Sequence, residues 1–185
     1  MKTLRLFVHI GLILFSTQVL GQHQTVSEHG ETEDRHFHIS VAIGHTYLPE
    51  SSINGKTTLT LPSIGFDLEY YLNSKLGIGL HNDIELVAFE IEEEEGTVIN
   101  REYPLLLTAD FLYKPLHNMV LFVGPGVELE KEENFAVLRM GIEYMAYVND
   151  CISFSPILFY DFRIDAYDSL SIGIGMGYKF GGHQN

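Results

Sequence analysis

Positive charge is what this chain has least of: Lys and Arg number 11 against 25 Asp and Glu, for a net charge of −14 and a pI near 4.9. A basic face able to meet phosphates is therefore missing, which excludes a nucleic-acid partner. A single cysteine, Cys151, cannot close an internal disulfide, and no CxxC or Cys/His spacing accompanies it, so disulfide scaffolds and structural zinc sites are excluded as well. Long apolar runs are also absent: beyond the N-terminus no stretch approaches the roughly 18 residues that a transmembrane helix requires. What remains is a 185-residue chain, 45% hydrophobic, of a size for one folded domain.

The first 21 residues read as an export signal. Lys2 and Arg5 precede the apolar run from Leu6 to Phe15, and Val19 and Gly21 supply the small residues of a cleavage site after Gly21. Removal leaves 164 residues and takes the charge from −14 to −16, because Lys2 and Arg5 leave with the signal. No cysteine follows the cleavage point to carry a lipid. Residues 22–35 are polar and aperiodic, a flexible leader in which His23, His29 and the neighbouring acids match no ordered metal spacing. An exported chain with no spanning helix enters a membrane only as a β-barrel.

Residues 36–180 support that alternative through a period of two. In the last segment Leu170, Ile172, Ile174, Met176, Tyr178 and Phe180 alternate with Ser171, Gly173, Gly175, Gly177 and Lys179. The same alternation recurs in seven earlier segments, near residues 36–46, 57–72, 75–90, 102–114, 119–130, 138–146 and 153–163, and no segment has a helical period. Leu59 and Leu61 fall out of phase with Ile64 and Phe66, so Pro62 is expected to mark a bulge. Connections alternate between short (residues 73–75, 115–118 and 149–151) and long and polar (49–56, 91–101, 131–134 and 164–169). Transmembrane barrels show this asymmetry, with short turns at the periplasmic end and long loops outside.

The two faces decide between a soluble and a membrane barrel. One holds Gly77, Gly79, Gly124, Gly126, Gly141, Gly173, Gly175 and Gly177 with Asp67, Glu69, Asp83, Glu85, Asp110, Glu128, Glu143, Arg139, Arg163 and Lys179. The other is uniformly Leu, Ile, Val, Phe, Met and Tyr, an aggregation hazard in water and a natural surface against lipid. The expected fold is all-β: an eight-stranded antiparallel up-and-down transmembrane β-barrel, filled by side chains because eight strands leave little open lumen.

With these segments in place the chain resembles the small eight-stranded outer-membrane barrels of Gram-negative bacteria, the outer-membrane protein A/X type and its porin-family relatives. The closing residues SIGIGMGYKF resemble the C-terminal signal read by the barrel-assembly machinery, with Tyr178 and Phe180 as its aromatics; residues 181–185 follow where that signal usually ends. The resemblance implies an outer-membrane location, both termini in the periplasm, a monomer, and outer-membrane lipid and lipopolysaccharide as surroundings.

Three chemistries are weighed on the residues. The inward Asp67, Glu69, Asp83, Glu85, Asp110, Glu128, Glu143, Arg139, Arg163 and Lys179 are expected to form an ion-pair network, since an unpaired buried charge is expensive. It would serve as a structural plug or as the gate of a narrow porin-like channel. His38 and Ser40 share one face, and Asp83 or Glu85 would orient the imidazole for hydrolysis in a lipid A-modifying barrel; a polar lumen cluster is the preferred account, and no enzyme activity is expected. Glu92, Glu93, Glu94, Glu95, Glu132 and Glu133 belong to acidic loops that would hold Ca²⁺ or Mg²⁺ loosely, or are simply solvated; no other cofactor is expected. Cys151, in a short turn, is a free thiol.

Overall fold

Strict alternation forces each segment to be extended, because only a strand puts every second side chain on one face. The computed structural model describes residues 35–48, 58–92 and 98–181. The proposed signal (1–21), all but the last residue of the leader (22–35), the first long connection (49–56), Glu93, Glu94, Glu95 and residues 182–185 lie outside the described residues, as does the side chain of Glu92.

The described residues form eleven strands: β1 (His36–Leu48), β2 (Leu59–Tyr71), β3 (Leu76–Glu85), β4 (Phe89–Glu92), β5 (Val98–Arg101), β6 (Leu105–Leu116), β7 (Met119–Leu129), β8 (Phe135–Tyr144), β9 (Ala146–Tyr147), β10 (Ile152–Arg163) and β11 (Ser169–Phe180). Neighbours pair antiparallel in chain order, and β11 returns to β1 with Phe37 opposite Phe180 and Tyr47 opposite Leu170, so the sheet closes. Strands β8 and β9 form one stave interrupted at Met145, whose N–H still donates to the Asn118 carbonyl at 2.7 Å. The closed wall therefore has eight staves: β1, β2, β3, β6, β7, β8 with β9, β10 and β11.

Two of the three short turns use the same device. Asn73 Oδ1 accepts from the N–H groups of Lys75 and Leu76, both at 2.9 Å, and Asn149 Oδ1 from those of Cys151 and Ile152 at 2.9 and 2.8 Å. The third places Leu116 opposite Met119, with a register irregularity between Tyr113 and Leu116.

Two expectations need correction. Pro62 marks no bulge: β2 runs against β1 in unbroken register through His45 opposite Pro62. Leu59 and Leu61 point inward with Ser63, and they are apolar because an apolar cluster lies at that end of the lumen. The connection 91–101, read as a polar loop, carries the ends of a separate hairpin in which Phe89 faces Arg101 and Ile91 faces Ile99. Phe89 and Ile91 gain burial there, which solvated loop would not provide.

The outer wall is predominantly apolar among the described residues. Ile43 is 69% exposed and Ile174 62%, with Phe66, Ile78, Leu80, Val123, Met140, Leu158 and Ile172 also exposed around the staves. At the turn end Phe37 packs on Tyr70 and Phe180 (ring centroids 4.7 and 5.5 Å), and Tyr113, Tyr144 and Tyr178 are exposed near the same rim. An apolar belt edged by aromatic rings is the surface that a bilayer and its interface select.

Candidate functional site

Eight staves enclose a space that inward side chains fill, and this interior is where the chain's chemistry lies. Inward glycines make the room: a Cβ on Gly177 would overlap the His38 imidazole, and one on Gly141 the Phe122 ring. From the turns toward the long loops the interior falls into four layers.

The first is apolar: Tyr71, Leu112, Val120, Phe122, Met145 and Ile157 form a buried cluster. His36 stacks on the Tyr71 ring at 4.8 Å, and the Lys114 ammonium lies 4.6 Å from the same ring's centroid.

The second layer is centred on Glu69. Its carboxylate meets His38 Nδ1 at 3.1 Å and His81 Nε2 at 3.4 Å, and accepts from the Tyr71 hydroxyl at 2.9 Å. His81 Nδ1 lies 3.1 Å from Asp110, which also accepts from the Thr108 hydroxyl at 2.5 Å. His38 Nε2 is 3.0 Å from Ser153 Oγ, and Ser40 donates to Asp67 at 2.9 Å. The imagined partnership of His38 with Ser40 and Asp83 or Glu85 is thus absent from these contacts: His38 engages Ser153 and Glu69, and Ser40 engages Asp67. Ser153 is fully buried.

The third layer holds the arginines. Arg139 grips Asp161 through Nε at 2.7 Å and Nη2 at 3.1 Å, donates to Asp83 through Nη1, and lies 4.1 Å from the Phe159 ring centroid. Paired donors from a planar guanidinium make this a strong, directional contact. Arg163 pairs with Glu128 and donates to Ser169 at 2.8 Å. Arg101 approaches the same Glu128 at 3.0 Å and Glu130 at 3.5 Å, donates to the Glu133 carbonyl at 2.6 Å, and lies 4.1 Å from the Phe135 ring centroid. Glu128 also accepts from the Tyr167 hydroxyl at 2.7 Å. Burial, reinforced by Glu128, pushes the Tyr167 phenol above its ordinary value, which keeps that hydroxyl a donor.

The fourth layer is apolar again. Leu48, Leu61, Phe89, Ile91, Phe135 and Tyr167 close the loop end, with Phe89 and Ile91 supplied by β4. Beyond it, Glu130 closes the loop after β7. Its N–H donates to Asn134 Oδ1 at 3.0 Å, and its carboxylate accepts from the Glu132 N–H at 2.8 Å, a bond that lowers its pKa.

Of the residues expected in a lumen network, Glu69 and Asp110 both meet His81, Asp83 meets Arg139 and Glu128 meets Arg163, while Glu85 and Glu143 are buried and Asp67 takes the Ser40 hydroxyl. Lys179 sits half-buried at the turn end, away from the arginine layer. Tyr178 and Phe180 face outward in the aromatic belt. Glu132 and Glu133 are exposed, and among the described residues no group of three or more His, Cys, Asp or Glu could hold a metal ion. Sequence reasoning missed Arg101 and Tyr167, which it assigned to loops, and Asp161 as Arg139's partner. Parity along β10 was enough to find Asp161; no local signal marks Arg101.

No protein-family model matches the chain, and no curated protein matches it. Solved structures do. The attachment invasion locus protein Ail of Yersinia pestis in complex with the heparin analogue sucrose octasulfate superposes with a TM-score of 0.55 at 14% identity, over 80% of this chain and 99% of that one. Ail alone gives 0.52 at 15% identity over the same shares. The outer-membrane protein OprG of Pseudomonas aeruginosa gives 0.53 at 14%, over 80% and 97%. At such identities the likeness is one of fold, and the fold is the closed eight-stranded barrel of small outer-membrane proteins.

Proposed function

We propose that the chain is an integral outer-membrane barrel that does not conduct and carries no enzyme activity, and that it serves the envelope as a scaffold for acidic surface loops. The observation that supports this reading is a pair of buried apolar clusters toward the two ends of the polar interior, Tyr71 to Ile157 at the turns and Leu48 to Tyr167 at the loops. Hydrated ions need a continuous wet path, and two apolar side-chain clusters oppose one. The apolar belt and its aromatic rim support a bilayer as the surrounding solvent, with the short turns in the periplasm and lipopolysaccharide around the loop end.

Charge supports a choice of partner class. A fold neighbour was solved with a heparin analogue, which is polyanionic. Here the loop end carries Glu90, Glu102, Glu130, Glu132, Glu133, Asp165 and Asp168, and would repel such a ligand. Cationic partners, or Ca²⁺ and Mg²⁺ shared with lipopolysaccharide phosphates, fit better.

A second reading, a narrow cation-selective channel, is favoured by one observation: the interior acids Asp67, Glu69, Asp83, Glu85, Asp110, Glu128, Glu143 and Asp161 outnumber Arg101, Arg139 and Arg163. Planar-bilayer recording separates the two. The scaffold reading expects a flat baseline, and reproducible steps that change with Arg139→Ala would establish the channel instead.

A further inference from the structure

Among the described residues, the sheet opens at the loop end beside β2. Along β2, pairing with β3 begins only at Ser63 opposite Glu85, with one further bond from the Leu86 N–H to the Pro62 carbonyl, whereas pairing with β1 continues to Leu59 opposite Leu48. Strand β4 pairs with β5 alone. Residues 59–61 of β2 and the outer side of β4 are therefore sheet edges with no partner strand among the described residues. Both border the same cleft of about 810 Å³, which residues 100–102 and 130–132 complete.

The cleft has two chemistries. Leu59, Leu61, Val87 and Phe89 supply an apolar wall, and Glu90, Glu102 and Glu132 an exposed acidic rim. Of the two cations there, Arg101 is fully buried and committed to Glu128, which leaves Lys131 alone against three solvent-facing carboxylates. An unpaired edge offers backbone N–H and C=O groups to an incoming strand, and alternating pockets then select its side chains.

We propose that this cleft docks an extended basic peptide segment, which adds as a strand to the open edge, sets alternate apolar side chains against the Leu59–Val87 wall and presents Lys or Arg to the glutamate rim. This deepens the scaffold reading by naming the partner class, and rests on it only in needing the loop end exposed.

The test uses the full barrel in zwitterionic nanodiscs, with empty discs as baseline and fluorescence anisotropy as readout. The probe is a labelled eight-residue peptide of alternating lysine and leucine. A glutamate–leucine peptide and a lysine–leucine peptide methylated at alternate backbone nitrogens, which keeps the charge and blocks strand addition, are compared with it. Saturable one-to-one binding of the first alone is expected. The triple variant Glu90→Gln, Glu102→Gln, Glu132→Gln should weaken it about tenfold. All three side chains are exposed, so the variant should keep the wild-type heat-dependent gel shift, which confirms the fold. Absence of binding, equal affinity in the triple variant, or undiminished binding of the methylated peptide would overturn the proposal. Bilayer recordings on the same preparation test the scaffold reading separately: conductance sinks that reading and leaves the peptide result standing, and failure to bind leaves the non-conducting barrel untouched.

Discussion

Replacing Glu128 with glutamine should damage this barrel more than replacing the arginine that reaches it from the hairpin. Glu128 is fully buried and is shared by Arg101, Arg163 and the Tyr167 hydroxyl. Removing its charge leaves two buried guanidinium groups against one neutral amide, and breaking a buried pair in this way costs about 3 to 5 kcal/mol. Arg101→Met keeps most of the volume over Phe135 and removes the hydrogen bonds to Glu130 and the Glu133 carbonyl and the ion pair with Glu128, but Glu128 retains Arg163 and Tyr167. Its cost is that of charged hydrogen bonds lost without an orphaned charge, about 1.5 to 3 kcal/mol. It should also fall locally, on the latch between hairpin and wall. Denaturant unfolding in micelles measures the global term, and cleavage by a glutamate-specific protease after β4 the local one. Arg101→Met should speed that cleavage with a modest change in unfolding midpoint, and Glu128→Gln should change both. The double variant should fall short of the sum by about 0.5 to 3 kcal/mol, because the two side chains form one contact. An Arg101→Met variant as destabilised as Glu128→Gln, or additive effects, would show that Glu128 is not the shared counter-ion of this layer.

Three further outcomes follow from the wall, the packing and the loops. Ile43, outward near the middle of β1 and 69% exposed, should cost about 2 to 4 kcal/mol when changed to Arg if that face meets lipid, measured by unfolding from vesicles; a neutral substitution would remove the bilayer from the argument. Gly177→Val puts side-chain atoms where the His38 imidazole and Ser153 hydroxyl lie and should cost about 1 to 3 kcal/mol, seen as a lower transition in the heat-dependent gel shift; unchanged stability would mean that the layer is not packed. The Glu132 N–H bond favours ionised Glu130, so its support for the loop is complete above the ordinary glutamate value of 4.5 and is lost as pH falls through the lowered folded value. Hydrogen exchange over residues 130–134 should therefore quicken, after correction for the intrinsic rate, only at acid pH; quickening as pH rises would reverse the sign of the reasoning.

Parity along each strand is a local property, and it was enough to place the apolar face on the lipid side and to send Asp67, Glu69, Asp83, Asp110, Glu128, Arg139 and Arg163 into one interior. The alternation of short and long connections likewise carried the up-and-down order and the end to which each turn belongs. Which inward side chains meet is a different matter, because partners come from staves 12 to 125 residues apart in the chain, as Ser153 does from His38 and Asp161 from Arg139. Their heights match only once the register and tilt of the closed sheet are known. Arg101 could not be read at all: it stands beyond the regular alternation, in a stretch dominated by glutamates, and only the folding-back of β4 and β5 carries it to Glu128. Leu59 and Leu61 were misread for the same reason. Their phase was plain in the sequence, but an inward apolar residue looks like an error of register until a second apolar element, here Phe89 and Ile91 of the hairpin, arrives from elsewhere in the chain to cover it.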